Sequence, residues 1–215
     1  MKRAIDLVMF DLDGTLADTG QDLADAVNFT RSHFELPPLS REIVLAQVGR
    51  GVEYLLRHAV PEESPHRFEE VMRVFLDRYE AHLFDKTVLY PNVERMLEHY
   101  RDKRRVVVSN KMHHLTLALL RGLGIEKRFD AILGGDSASD KKPHPALLQA
   151  ALNRFEVPPG KALMVGDGEI DVQAGRGAGV ITCGVTYGLG DKKALADAEP
   201  DVLIDDIAHL VLYFC

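Results

Sequence analysis

A chain of 215 residues with 46% hydrophobic content is long enough for one well-cored domain plus a smaller appendage, which excludes extensive disorder. Its 26 Lys and Arg against 33 Asp and Glu leave a formal net charge of −7 with no long basic run, which argues against nucleic acid or an anionic membrane as the main partner. Two cysteines, Cys183 and Cys215, are too few for a disulfide framework and form no C-x-x-C pair, so a reduced, cytoplasmic setting is expected.

In chain order, the apolar stretch after Met1-Lys2-Arg3-Ala4 meets Asp11 too early for a signal-peptide core or a membrane span, so no targeting segment is expected. Short apolar runs recur at residues 7–10, 106–108, 131–133, 162–165, 180–182 and 202–204. Runs that are apolar on both faces suit buried parallel strands, and their alternation with helical patterns predicts an α/β fold with a Rossmann-like open parallel sheet. In such sheets ligands lie beyond the carboxyl ends of the strands, where Asp11, Ser109 and Asp167 follow three of the runs.

Residues 16–85 break the alternation. They show no strand pattern but three helical faces, marked by Leu23, Ala26, Val27, Thr30 and Phe34, by Val52, Leu55, Leu56 and Ala59, and by Phe68, Val71, Met72, Phe75 and Tyr79. Helices packed on the main sheet would give the same periodicity. The simpler reading is an inserted all-helical cap over 16–85, hinged near Leu16 and Lys86, with the catalytic core formed by 1–15 and 86–215.

The strongest chemical signal is Phe10-Asp11-Leu12-Asp13-Gly14-Thr15, directly after the first run. On extended chain Asp11 and Asp13 project to the same side, and two carboxylates facing one site need a cation; an oxygen-rich site suits Mg2+. Gly14 permits a tight turn and Thr15 offers a hydroxyl. A D-x-D-G turn or a calcium loop is the competing explanation, but the further ligands and closing Glu of a calcium loop are missing.

This opening resembles the haloacid dehalogenase superfamily, whose phosphatases begin with D-x-D-G-T. Three later segments match in the expected order: Val107-Val108-Ser109-Asn110, Lys142-Pro143, and Val165-Gly166-Asp167-Gly168-Glu169-Ile170-Asp171. The resemblance implies that Asp11 attacks phosphorus and that Asp13 serves as acid and then base. It also implies that Ser109 donates to a phosphoryl oxygen and that Lys142 neutralises charge on the transferring group. Gly14, Thr15 and Asn110 would complete the phosphate site. Mg2+ would be held by the Asp11 carboxylate, the Asp13 backbone carbonyl and Asp167, with Asp171 holding a metal-bound water or only orienting the loop. Taken singly, Ser109 also reads as the N-cap of the helix around residues 115–120, Lys142 as an exposed lysine, and Asp171 as an acid at a helix N-terminus. Gly168 stands where the family usually has Ser or Thr, so one loop hydrogen bond is in doubt.

A cap between the first and second motifs, Gly49-Arg50-Gly51 within it, Lys141-Lys142-Pro143-His144-Pro145, and a turn expected at Gly184-Val185-Thr186-Tyr187-Gly188 resemble the phosphoglycolate phosphatase branch. That resemblance implies 2-phosphoglycolate as the substrate, with Arg50 reaching in to hold its carboxylate through two hydrogen bonds, although composition alone favours a solvated surface arginine. Another small phosphate ester (a nucleotide, a sugar phosphate or pyrophosphate) and a phosphomutase using the same motifs are the enzymatic alternatives. A non-catalytic binding module had no need to keep both Asp11 and Asp13. The partner expected is thus a small phosphate ester, acted on by a monomer or small homo-oligomer.

Overall fold

The computed structural model describes residues 2–61 and 65–215. Its centre is β1 (Leu7–Phe10), four apolar residues buried on both faces. Their side chains alternate between two cores: Val8 and Phe10 join one, and Leu7 and Met9 join the other. The remaining strands are β2 (Ala17–Asp18), β3 (Val88–Leu89), β4 (Arg104–Val108), β5 (Ala131–Leu133), β6 (Ala162–Gly166), β7 (Ile181–Val185) and β8 (Val202–Ile204). Six of them form one parallel sheet in the order β5-β4-β1-β6-β7-β8.

The order places β1 between β4 and β6, with Phe10 opposite both Val107 and Val165. From β1 the chain builds β4 and β5 on one side and then crosses to build β6, β7 and β8 on the other, so a crevice opens at the carboxyl end of β1. Asp11 continues the ladder by donating its N–H to the Val165 carbonyl at 2.9 Å. The three strand ends therefore bring Asp11, Ser109 and Asp167 to one edge, as the pattern of apolar runs predicts.

The helices are α1 (Gly20–His33), α2 (Arg41–Leu45), α3 (Val52–Ala59), α4 (Pro65–Ala81), α5 (Val93–His99), α6 (His113–Gly122), α7 (Ala146–Phe155), α8 (Glu169–Ala178), α9 (Lys192–Asp197) and α10 (Leu210–Tyr213). One core joins Leu147, Leu148 and Ala151 of α7 and Ala174 of α8 to β1, β4 and β6. The other joins the opposite face of the sheet to the buried faces of α1, α3 and α4, including Leu23, Val27, Leu55, Leu56, Phe75 and Tyr79. The three apolar faces read from residues 16–85 are thus α1, α3 and α4, with Phe34 just past the end of α1. Among the described residues, no helix is long and apolar enough to cross a membrane.

Three local expectations change. The segment 16–85 is not free of strand, because β2 pairs antiparallel with β3, Ala17 opposite Leu89 and Asp18 opposite Val88. Two residues per strand are too few to show any alternation. The run at 180–182 marks a strand that extends over Ile181–Val185, so Gly184 and Val185 lie in the sheet rather than in a turn. Gly184 fits because Leu203 and Leu195 close over it; an added Cβ would lie 2.8 Å from the Leu203 side chain. Ser109, finally, is not a helix cap: α6 begins at His113 with Met112 in the cap position.

Asp22, in the first turn of α1, ties the helical segment to the chain returning toward the sheet. Its Oδ2 accepts from the Lys86 N–H at 3.1 Å, the Thr87 N–H at 2.8 Å and the Thr87 hydroxyl at 2.7 Å. All three donors lose their acceptor in Asp22→Ala, in a place that water barely reaches. Urea unfolding is expected to show a loss of about 3 kcal/mol with an unchanged m-value, far above the few tenths of an ordinary surface change.

Candidate active site

Beyond β1 the backbone coils tightly. The N–H groups of Thr15, Leu16 and Ala17 all point to the Leu12 carbonyl, and Gly14 turns with φ +86. Asp11 and Asp13 consequently line the same cavities, although the chain between them is bent rather than extended. Gly14 has a second reason to lack a side chain: a Cβ there would lie 2.0 Å from Asp167 Oδ2. Gly188 encloses Asp167 from the other side, where a Cβ would fall 2.4 Å from the Asp167 Cβ.

Asp167 follows β6 and is held by three donors. Its Oδ2 accepts from the Leu189 N–H at 2.8 Å and the Gly190 N–H at 2.9 Å, and its Oδ1 accepts from the Thr15 hydroxyl at 3.2 Å. Thr15 thus spends its hydroxyl proton on Asp167. Asp171, one turn into α8, accepts the Gly168 N–H at 3.1 Å on Oδ2 and Lys142 Nζ at 2.7 Å on Oδ1. The same carboxylate caps the helix start and faces the site. Gly168 contributes its backbone N–H to Asp171 and has no side chain to make the loop hydrogen bond in doubt.

Lys142 is the buried one of the two adjacent lysines, and its Nζ lies 2.9 Å from Asp11 Oδ1 as well as 2.7 Å from Asp171 Oδ1. Asn110 fixes its backbone from both sides: Asn110 Oδ1 accepts the Lys142 N–H at 2.8 Å, and Nδ2 donates to the Lys142 carbonyl at 2.7 Å. Nδ2 also donates to the Gly49 carbonyl at 2.9 Å, from the loop between α2 and α3. The Asn110 amide therefore holds protein groups together. Ser109, buried beside it, accepts the Lys111 N–H at 3.3 Å and faces the cavity with Asp11.

Carboxylate oxygens of Asp11, Asp167 and Asp171 lie within 4.8 Å of one another, all three residues buried. Burial pushes Asp167 up to about 8, reinforced by the charges of Asp11 and Asp171. Asp11 rises to about 6, again mainly through burial; Lys142 draws it down, while Asp171 and Asp13 push it up. Lys142 suffers the same burial, yet Asp11 and Asp171 outweigh it and hold its pKa above the ordinary value. One ammonium cannot balance three carboxylates, and a cluster of hard oxygens at this spacing fits a divalent cation. The Asp13 carboxylate is not part of the cluster. Its Oδ1 accepts from the Thr19 hydroxyl at 2.7 Å and pairs with Lys111 Nζ at 2.9 Å.

Two cavities meet at Asp11 and Asp13. One, of about 350 Å³, opens past Arg50, Asp167, Glu169 and Asp191. The other, of about 40 Å³, runs between Ser109, Lys111, Leu23, Phe75 and Tyr79. Arg50 stands at the rim of the larger one, with its Nη2 2.6 Å from Glu169 Oε1 and its guanidinium 5.5 Å from the Tyr54 ring centre. In this arrangement the arginine expected to meet substrate joins the helical segment to α8.

A model of haloacid dehalogenase-like hydrolases matches residues 8–185, a span that contains the four motifs around Asp11, Ser109, Lys142 and Asp167. The chain belongs to the haloacid dehalogenase-like hydrolase family. Within this family, the phosphoglycolate phosphatase of Chromobacterium violaceum is 37% identical over 213 residues, spanning 96% of this chain and 95% of its own. That of Pseudomonas putida is 36% identical over 213 residues, covering 95% of this chain and 78% of its own. The crystal structure of a predicted phosphoglycolate phosphatase from Haemophilus somnus matches with a TM-score of 0.93 and 32% identity, over 97% of both chains. Membership of the family and likeness to these relatives make the chain a phosphoric monoester hydrolase.

Lys111 is the site residue that the sequence did not single out. A lysine of unknown surroundings reads as solvated, and its only signal is its place directly after Ser109-Asn110.

The charge imbalance has a consequence for stability. Asp167 titrates near 8 when folded and near 3.8 when unfolded, so between these values the folded state holds the extra proton and stability falls as pH rises. An asparagine can accept from the Leu189 and Gly190 N–H groups and donate to Thr15 while carrying no charge. In EDTA, the Tm of Asp167→Asn minus that of wild type is expected to grow from pH 5 to pH 8, and a divalent cation should raise the wild-type Tm only. A difference that shrinks toward pH 8 would contradict this assignment.

Proposed function

We propose that this hydrolase converts 2-phosphoglycolate and water into glycolate and inorganic phosphate through a phosphorylated Asp11, with Mg2+ as its metal. The observation that carries the proposal is the position of Asp11, which belongs to the buried carboxylate cluster and also faces the cavity shared with Asp13, Ser109 and Lys111. The relatives named phosphoglycolate phosphatases supply the substrate.

In this reading an Asp11 carboxylate oxygen attacks phosphorus, the ester P–O bond breaks, and the glycolate oxygen leaves with a proton from Asp13. Water then attacks the phosphoaspartate while Asp13 takes back a proton, a role that contributes about 10² to 10⁴ in rate. Lys142, fixed by Asn110, faces Asp11 and offsets charge on the transferring group, and the Ser109 hydroxyl donates to a phosphoryl oxygen. Asp11, Asp167 and the Asp13 carbonyl would hold Mg2+, which would supply positive charge to offset that of the phosphoryl group. Asp171 keeps Lys142 in place.

Residues 16–85 act as the cap in this account. Gly49, Val52, Leu55, Phe75 and Tyr79 wall the small cavity and shut bulk water away from the phosphoaspartate. The β2–β3 pair is the place where the cap joins the core.

A steady-state panel of phosphoglycolate, nucleotides, sugar phosphates and pyrophosphate tests the substrate, with glycolate and phosphate both quantified. Phosphoglycolate should give the largest kcat/KM, release the two products in equal amounts and lose turnover in EDTA. A larger kcat/KM for any other ester would overturn the substrate and leave the reaction class intact.

A further inference from the structure

Lys111 is a second buried cation in the site, with a different set of partners from Lys142. Its side chain is 6% exposed, and its Nζ lies 2.9 Å from Asp13 Oδ1 and 2.8 Å from the Tyr79 hydroxyl oxygen. Burial disfavours the ammonium, but Asp13 and Tyr79 outweigh that and keep it charged. An ammonium has three protons, and these two partners take two of them. Because the Tyr79 oxygen accepts from Lys111, its own proton is also free. Among the described residues neither the third ammonium proton nor the phenolic proton has an acceptor, and both groups line the small cavity that starts at Asp11.

Two buried groups that each keep one proton without an acceptor, one of them cationic, in a pocket whose other walls are apolar apart from Asp11, Asp13, Ser109 and Asn110, form a receptor for an anion. We infer that Lys111, assisted by Tyr79, is the specificity-determining group that binds the carboxylate at the non-reacting end of the substrate. The inference rests on the proposed reaction, in which Asp13 meets the leaving oxygen. A carboxylate one carbon from that oxygen has its own oxygens about 3 Å away, and Lys111 Nζ lies 2.9 Å from Asp13 Oδ1. Arg50 is the poorer candidate. Its side chain is 42% exposed, it is paired with Glu169 at 2.6 Å, and it flanks the larger, open cavity, where solvent weakens the attraction.

The test compares phosphoglycolate with 2-hydroxyethyl phosphate, which keeps the skeleton and replaces the carboxylate by a neutral alcohol. With Mg2+ present, the wild-type ratio of kcat/KM for the two esters is expected to fall about 30-fold in Lys111→Met, mostly through KM for phosphoglycolate. Lys111→Arg should restore part of the ratio, and Tyr79→Phe, a change of one hydroxyl, should lower it less. An unchanged ratio in Lys111→Met and Tyr79→Phe, with both esters slowed alike, would overturn the inference and leave Lys111 as a support for Asp13. A ratio that falls in Arg50→Ala instead would also overturn it. A wild type that favours the neutral ester contradicts the substrate proposal itself, which separates the two failures.

Discussion

Three carboxylates, those of Asp11 and Asp167 at the ends of neighbouring parallel strands and that of Asp171 in the first turn of α8, are buried together against the single charge of Lys142. Such a cluster repels itself, and the surroundings are organised to hold it. Backbone N–H groups of Leu189 and Gly190 and the Thr15 hydroxyl fix Asp167, the Gly168 N–H fixes Asp171, and Gly14 and Gly188 leave room where any side chain would collide with Asp167. The result is a protein of net charge −7 that nevertheless offers a phosphate a metal-binding cluster and two buried ammonium groups.

The two lysines divide the work by location. Lys142 faces the cluster, and its backbone is clamped by Asn110, which also grips Gly49 from the helical segment. Lys111 faces Asp13 and is tied to Tyr79 on α4. Each basic group is thus connected to residues 16–85. Arg50 adds a third link through Glu169, at the rim.

The sheet was legible because its strands are apolar on both faces, a pattern that a buried parallel ladder requires. The acids at strand ends were legible because few other reasons place Asp11 and Asp167 directly after a buried run. What stayed hidden depends on chain segments meeting from afar. β2 and β3 are two residues each and exist only as a pair formed across some 70 positions of chain, Asp18 opposite Val88 and Ala17 opposite Leu89. Ser109 carries a cap-like local pattern that the Leu133 carbonyl and the cavity override, since its N–H prolongs the β4–β5 ladder. Thr15 and Asn110 were expected to meet phosphate, and their partners, Asp167 and Lys142, lie 152 and 32 residues away. Lys111 could be recognised only once Tyr79 and Asp13 were seen on either side of it.

Everything functional proposed here passes through Asp11 as the nucleophile that accepts the phosphoryl group. The direct measurement is a rapid acid quench during turnover of phosphoglycolate with Mg2+, followed by borohydride reduction and peptide mass spectrometry, which converts a phosphorylated aspartate into homoserine. The account predicts homoserine at position 11 and nowhere else. Homoserine at another acid, or steady phosphate release with residue 11 unmodified at every quench time, would contradict it.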